Sequence, residues 1–462
     1  MKKQSVSQSF EEIKKEFERI SPSLKKEAQV LFIMLIKLFE IVWKCIDKKN
    51  SSKMSSTPPS ADKDRDRTPK KKTGRKRGGQ EGHKGSSLSY TEHPDRIEKI
   101  TADNCDFCGH SLSAYPVTIA THQVIDIEFT KVVTEYQIER KFCPCGNHQN
   151  DHLCLAPVTY GAAVKAKSVE LQQIHCLAIR RCALFFQKNF AITLSPATIQ
   201  AFSKKAFDRL ELWEKSVKEE LLNSDLIHAD ETGININGKN WWVHVLSTPR
   251  LTIMFPHLKR GKKAILEGEV LPFYKGFLCH DFWSSYKNFD AIHIACNAHL
   301  LRELNKVTEK YKQRWAKKLS KLLIQANQEK ERSEAGLEHS RIVYFENKYD
   351  KLIKEGLIQN PRNTERISRR GRIPQTYPRC LLERFVDHKS SILMFMYDPR
   401  VPFTNNAAER DIRMLKVQQK VSGCFRTEEG AKYHCRIRSY VLTMEKQGIS
   451  AHQALEDLFR ET

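Results

Sequence analysis

The chain has 462 residues, room for three or four domains, and its 40% hydrophobic and 29% charged content is that of a globular protein and too polar for a membrane protein. Its 78 lysines and arginines against 55 aspartates and glutamates leave a net charge of +23, which favours a polyanionic partner, a nucleic acid first of all. No apolar core follows Lys2 and Lys3, and thirteen irregularly spaced cysteines suit reduced thiols or metal sites, so neither a signal peptide nor a disulfide framework is expected and a reducing cytosol is.

Residues 1–49 are predicted to form an amphipathic heptad helix. Phe10, Ile13, Phe17, Ile20 and Leu24, then Leu31, Met34, Leu38, Ile41 and Cys45, keep one register, with Pro22 restarting the helix. Such a helix either packs on its own chain or pairs chains into a homo-oligomer. The apolar window from Val30 to Trp43 is shorter than a membrane span and is broken by Lys37 and Glu40, so no membrane partner is expected. Residues 50–99 form a polar and basic linker arm. Its run Lys70, Lys71, Lys72, Arg75, Lys76 and Arg77, hinged at Gly74, suits salt-dependent binding along DNA phosphates, with a solvated linker as the alternative.

Residues 100–157 carry Cys105-x2-Cys108 and Cys143-x-Cys145, separated by 34 residues that alternate like two strands (Val124, Ile125, Ile127, Phe129, then Val132, Val133, Tyr136, Ile138). Two cysteine knuckles joined by a hairpin predict a small zinc-ribbon-like unit, with His148 or His110 able to replace one sulfur. Residues 158–222 read as helical, and a Ser195 cap with Pro196 in the first turn suits the second helix of a helix-turn-helix DNA-binding region.

From residue 223 the pattern changes to strands. Leu226–Ala229 ends at Asp230, Asn237-Gly238 turns into Trp241–Leu246, and Leu251–Phe255 follows. A short helix at 262–269 precedes Gly276–His280, which ends at Asp281, and a further strand covers Ile292–Cys296. The order βββαβ with a carboxylate ending the first and fourth strands is that of a ribonuclease H-like mixed sheet, in which those two strands are neighbours. Two such aspartates side by side need a divalent cation, and oxygen-only ligation suits Mg²⁺ or Mn²⁺. Residues 223–302 are thus the first part of a catalytic core, 303–395 a mostly helical insertion with a basic loop at Arg366–Gly371, and 396–462 the last core helices. Glu409 is the candidate third acid, on a helix capped by Thr404 or Asn405 that presents Glu409, Arg413, Lys416 and Lys420 on one face. The whole is an α/β multidomain fold. Cys296 and His299 are read as a structural pair beside the active site, because two side chains are too few for zinc.

The chain resembles a transposase of the insertion sequence 66 (IS66) family, within the DDE superfamily. The resemblance rests on residues 50–60, on Arg77–Gly85, on the cysteine knuckles, on His228–Gly233, on His280-Asp281 with Tyr286, on Cys296–Glu303 and on Asn405–Arg410. It implies an enzyme that binds the ends of its own element, hydrolyses the phosphodiester there and joins the freed 3′-hydroxyl to target DNA. Asp230, Asp281 and Glu409 would bind two Mg²⁺ or Mn²⁺ ions, and Arg410, Arg413 and Lys416 would face phosphate oxygens. Cys105, Cys108, Cys143 and Cys145 would hold a structural Zn²⁺. It further implies element-end and target DNA as partners, oligomers on DNA, small accessory proteins, and a cytoplasmic location at the nucleoid. Two other readings explain the acids: a DNA-binding relative that no longer cuts, and a ribonuclease H-like nuclease without strand transfer.

Overall fold

The computed structural model describes Arg19 and residues 88–139, 141–142, 144–145, 148–149, 158–364 and 373–460. Apart from Arg19, the heptad helix lies outside the described residues, as do the basic arm, Cys143 and the loop at 366–371. The chain divides into two compact units, one spanning Asp66–Glu139 and the other formed mainly by Arg140–Thr462.

In the first unit an isolated bridge between Asn104 and Ser111 closes a knuckle around the Cys105–Cys108 pair. The Gly109 amide donates to the Cys105 carbonyl at 2.8 Å, and Gly109 takes φ +72°, which only glycine adopts without strain. The hairpin expected beyond it does not form. Residues 112–139 contain no strand, and Val124, Ile127, Phe129 and Val133 are exposed. Alternating apolar residues make a stable hairpin only where a second layer covers one face, and none does so among the described residues of this unit. Cys145 belongs to the other unit. It lies in the turn of a two-residue ladder, β1 (Lys141–Phe142) and β2 (His148–Gln149).

The second unit continues with helices α1 (Ala162–Val169), α2 (Ile179–Phe190), α3 (Pro196–Arg209) and α4 (Glu211–Leu222). Ser195 caps α3 as expected, its Oγ accepting the Thr198 amide at 3.0 Å, with Pro196 in the first turn. The apolar face of α3 (Ile199, Phe202, Ala206) shares one core with Ile437, Val441, Leu455 and Leu458, far along the chain.

A five-stranded sheet follows: β3 (Leu226–Ile236), β4 (Lys239–Ser247), β5 (Thr252–His257), β6 (Phe277–His280) and β7 (Ile292–Ala295), in the order β5-β4-β3-β6-β7. β3, β4 and β5 pair antiparallel, whereas β3, β6 and β7 pair parallel, so the first and fourth strands of the sheet are neighbours as expected. Helix α5 (Lys262–Glu267) connects the two halves.

Strand alternation sorts β3 between two cores. Ile227 and Ala229 pack with Leu246, Ile253 and Tyr286 on one face. Ile234 and Ile236 pack on the other with Ala408, Ile412 and Leu415 of α11 (Asn406–Ser422) and with α12 (Glu428–Lys446). Beyond β7 come α6 (Asn297–Lys310), α7 (Arg314–Glu331), α8 (His339–Gln359), α9 (Tyr377–Asp387) and α10 (Lys389–Tyr397), whose core around Trp315, Phe345 and Phe385 includes Cys279 and Ile294 of β6 and β7. Helix α13 (Ala451–Arg460) ends the described chain. No helix among the described residues is long and apolar enough to cross a membrane.

Three histidines are sealed inside this unit as neutral rings. Burial pushes His244 down to about 4, and His280 and His434 down to about 3. Their unfolded-state pKa is about 6.5, so the folded state resists their protonation and loses stability as pH falls below that value. Each adds a slope of about 1.4 kcal/mol per pH unit until its folded pKa is reached. Urea midpoints measured from pH 7 to pH 4.5 are expected to fall steeply below pH 6.5. A flat profile over that window would contradict neutral burial of these rings.

Candidate active site

The parallel register of β3 and β6 decides where the two aspartates go. Leu226 pairs with Phe277, Ile227 with Leu278 and His228 with Cys279. Asp281 directly follows β6, and carrying the same offset two residues past the last pair brings it opposite Asp230. Residues level in parallel strands project to the same face, and for β3 the even positions are those facing α11. The Glu231 amide donates to Asp230 Oδ1 at 2.9 Å, and the Trp283 amide donates to Asp281 Oδ1 at 2.9 Å.

Glu409 reaches the same region from the first turn of α11. The start of that helix is tied down by Asn405, which is 1% exposed. Its Nδ2 donates to the Ala229 carbonyl at 2.8 Å, and that orientation turns Oδ1 toward His228 Nδ1 at 2.9 Å, so the imidazole donates from Nδ1. Asn405 therefore occupies the cap position without capping: its side chain serves β3, because a buried amide must satisfy the nearest buried groups. The Asn405 amide donates to Cys296 Sγ at 3.2 Å, and its carbonyl accepts the Glu409 amide at 3.3 Å. One residue thus links β3, the start of α6 and the third acid.

The three acids share one electrostatic environment. Burial pushes the Asp230 carboxyl well above the usual range, and the charges of Glu231, Asp281 and Glu409 push it further. Glu409 Oε1 is buried with no hydrogen-bond partner. A set of carboxylates whose charges raise the Asp230 carboxyl is an oxygen donor set that fits Mg²⁺ or Mn²⁺. Beside Asp281 opens a cavity of about 240 Å³ lined by His280, Lys287, His293 and His388.

The sequence did not reveal the support on the opposite face of β3. Glu231, an odd position, points away from α11 and accepts from Arg260 at 2.6 and 2.9 Å and from the Tyr286 hydroxyl at 2.6 Å. Arg260 lies between the Trp242 and Trp283 rings, 4.7 and 4.3 Å from their centroids. Burial, then the Asp281 charge, still raise the Glu231 carboxyl despite these partners. Tyr286 was legible beside Asp281, but nothing in the spacing joins Arg260 to Glu231.

The cation row on α11 divides. Arg410 and Arg413 are exposed. Lys416 is half-buried and donates to the Gly233 carbonyl, so its ammonium braces β3 instead of standing open toward phosphates. Lys70, Lys71, Lys72, Arg75, Lys76 and Arg77 lie outside the described residues, and so does Cys143. Of the other predicted zinc ligands, Cys105 and Cys108 sit in one unit and Cys145 in the other. Amides of Cys108 and Phe107 donate toward the Cys105 sulfur and lower its thiol pKa, as in a metal-binding knuckle.

Comparison with known proteins finds no curated protein that matches the chain. A family model described as "Transposase IS66 family" matches residues 157–433, more than half of the chain and a span that includes all three acids.

Proposed function

The chain belongs to the IS66 family of transposases, and from that premise we propose that it cuts the ends of its own element and joins them to target DNA at a ribonuclease H-like site built from Asp230, Asp281 and Glu409. The observation that supports the reading is the parallel register of β3 and β6, which, carried two residues past its last pair, brings Asp281 opposite Asp230, an aspartate that also feels the Glu409 charge. These three carboxylates would hold two divalent cations. Such a pair, when bound, activates an attacking oxygen and stabilises a leaving oxygen at a phosphodiester.

The chain's own residues supply position and charge. Asn405 fixes where Glu409 sits relative to β3, and the Glu231–Arg260–Tyr286 cluster braces the strand from behind. Arg410 and Arg413, exposed one and four positions after Glu409, would neutralise non-bridging phosphate oxygens. Helix α3 and the basic arm at 70–77 would add DNA contacts, the arm through phosphates and therefore with a salt-dependent affinity. A structural Zn²⁺ on Cys105, Cys108, Cys143 and Cys145, with His148 or His110 able to replace one sulfur, is a further proposal. The heptad segment would pair chains on DNA, and accessory proteins of the same element are further proposed partners.

The test is incubation of the full chain with labelled element-end DNA, a target plasmid and Mn²⁺. Nicking at the element end followed by a joined product is the expected outcome. Specific binding without nicking would favour a cleavage-inactive relative, and nicking without any joined product would favour a nuclease.

A further inference from the structure

We propose that Cys296, His299 and Glu409 form a second metal site, of thiolate–imidazole–carboxylate type, that takes Zn²⁺. On the chain the first two are only a pair; the fold adds a third ligand from 110 positions away, and one donor atom from each lies within 4.8 Å of the others. The site shares Glu409 with the proposed active site but needs neither aspartate.

Two orphaned atoms point to an ion. His299 Nδ1 and Glu409 Oε1 face each other at 3.7 Å, and both are buried without a hydrogen-bond partner. That separation is too long for a hydrogen bond between them. It suits two ligands on one ion, because Zn–N and Zn–O bonds of about 2.0–2.2 Å at a near-tetrahedral angle put their donors about 3.4–3.6 Å apart.

The third donor is the Cys296 sulfur, at the N-cap position of α6, where it accepts the Asn405 amide at 3.2 Å. Sulfur and imidazole select zinc over magnesium, whose preferred donors are oxygens. Cys296 is fully buried, whereas the side chains of His299 and Glu409 are 14% and 30% exposed, so the cluster is reachable from one side and leaves a fourth position for water.

The test uses the full chain, stripped of metal and titrated with Co²⁺ as a spectroscopic stand-in for Zn²⁺. Any contribution from the Cys105 knuckle is common to every variant, so the readout is the difference from wild type. Cys296→Ser is expected to remove one equivalent of bound metal with its share of the thiolate-to-cobalt charge-transfer band. His299→Gln, which keeps the buried thiol and guards against misfolding of the first variant, should weaken that equivalent by at least about tenfold. Asp281→Asn, which would disable the proposed cutting site, should leave it intact. An unchanged stoichiometry and band in Cys296→Ser or His299→Gln overturns the inference, and so does loss of that equivalent in Asp281→Asn.

Discussion

Asp230→Asn is expected to abolish DNA cutting while making the metal-free protein more stable at neutral pH. The two effects have one cause. Burial and the charges of Glu231, Asp281 and Glu409 raise the Asp230 carboxyl, so its ionised form is penalised in the folded state. That penalty is absent below the unfolded pKa of about 3.9, grows as pH rises past it and is complete above the raised folded value. Asparagine keeps the shape and removes the charge. Thermal melts in chelator should therefore favour the variant at pH 7, with the difference vanishing near pH 4. Loss of a direct metal ligand should exceed the 10–100-fold cost typical of outer-shell partners, so cleavage should drop by more than about 100-fold with DNA affinity kept. A variant less stable than wild type at pH 7, or one that still cuts, would show that Asp230 is a structural residue.

Asn405→Ala is expected to damage both stability and cutting. The substitution leaves His228 Nδ1 and the Ala229 carbonyl buried without their partner. At about 1–3 kcal/mol for each such group, a loss of roughly 2–6 kcal/mol follows. Glu409 hangs from the same residue through its amide, and a shift of about 1 Å in a positioned group can lower a rate by roughly 10²-fold. Urea unfolding and cleavage assays on one preparation read both effects. Equal midpoints and rates in the two proteins would mean that the start of α11 is held by something other than this amide. Unlike Asp230→Asn, this variant moves stability and cleavage in the same direction, which separates a positioning residue from a ligand.

How far the site could be read in advance depended on the distance over which each feature is encoded. The turn at Asn237-Gly238 forms with both residues at positive φ, and Ser195 caps α3, because turn and cap chemistry acts within a few residues. Of the two aspartates expected at strand ends, Asp281 does follow β6 directly, but β3 runs on through Asp230 to Ile236, because its pairing with β4 continues past the short apolar run. The hairpin expected from Val124 to Ile138 failed on the opposite ground, since alternation states which face wants cover without supplying it. Lys416 was placed correctly on its helix face, yet the carbonyl it meets lies 183 positions away.

The sequence by itself determined the excess of positive charge, the βββαβ order of the sheet, and an aspartate within β3 and another directly after β6, all consequences of composition and local periodicity. Tertiary structure alone decided which side chains meet: Glu231 with Arg260, Asn405 with His228, and Glu409 with the Cys296–His299 pair. The reason is physical. Backbone preferences are set by neighbours in the chain, whereas the pairing of buried charges is set by burial itself, which forces each polar group to take whatever partner the packing brings within reach.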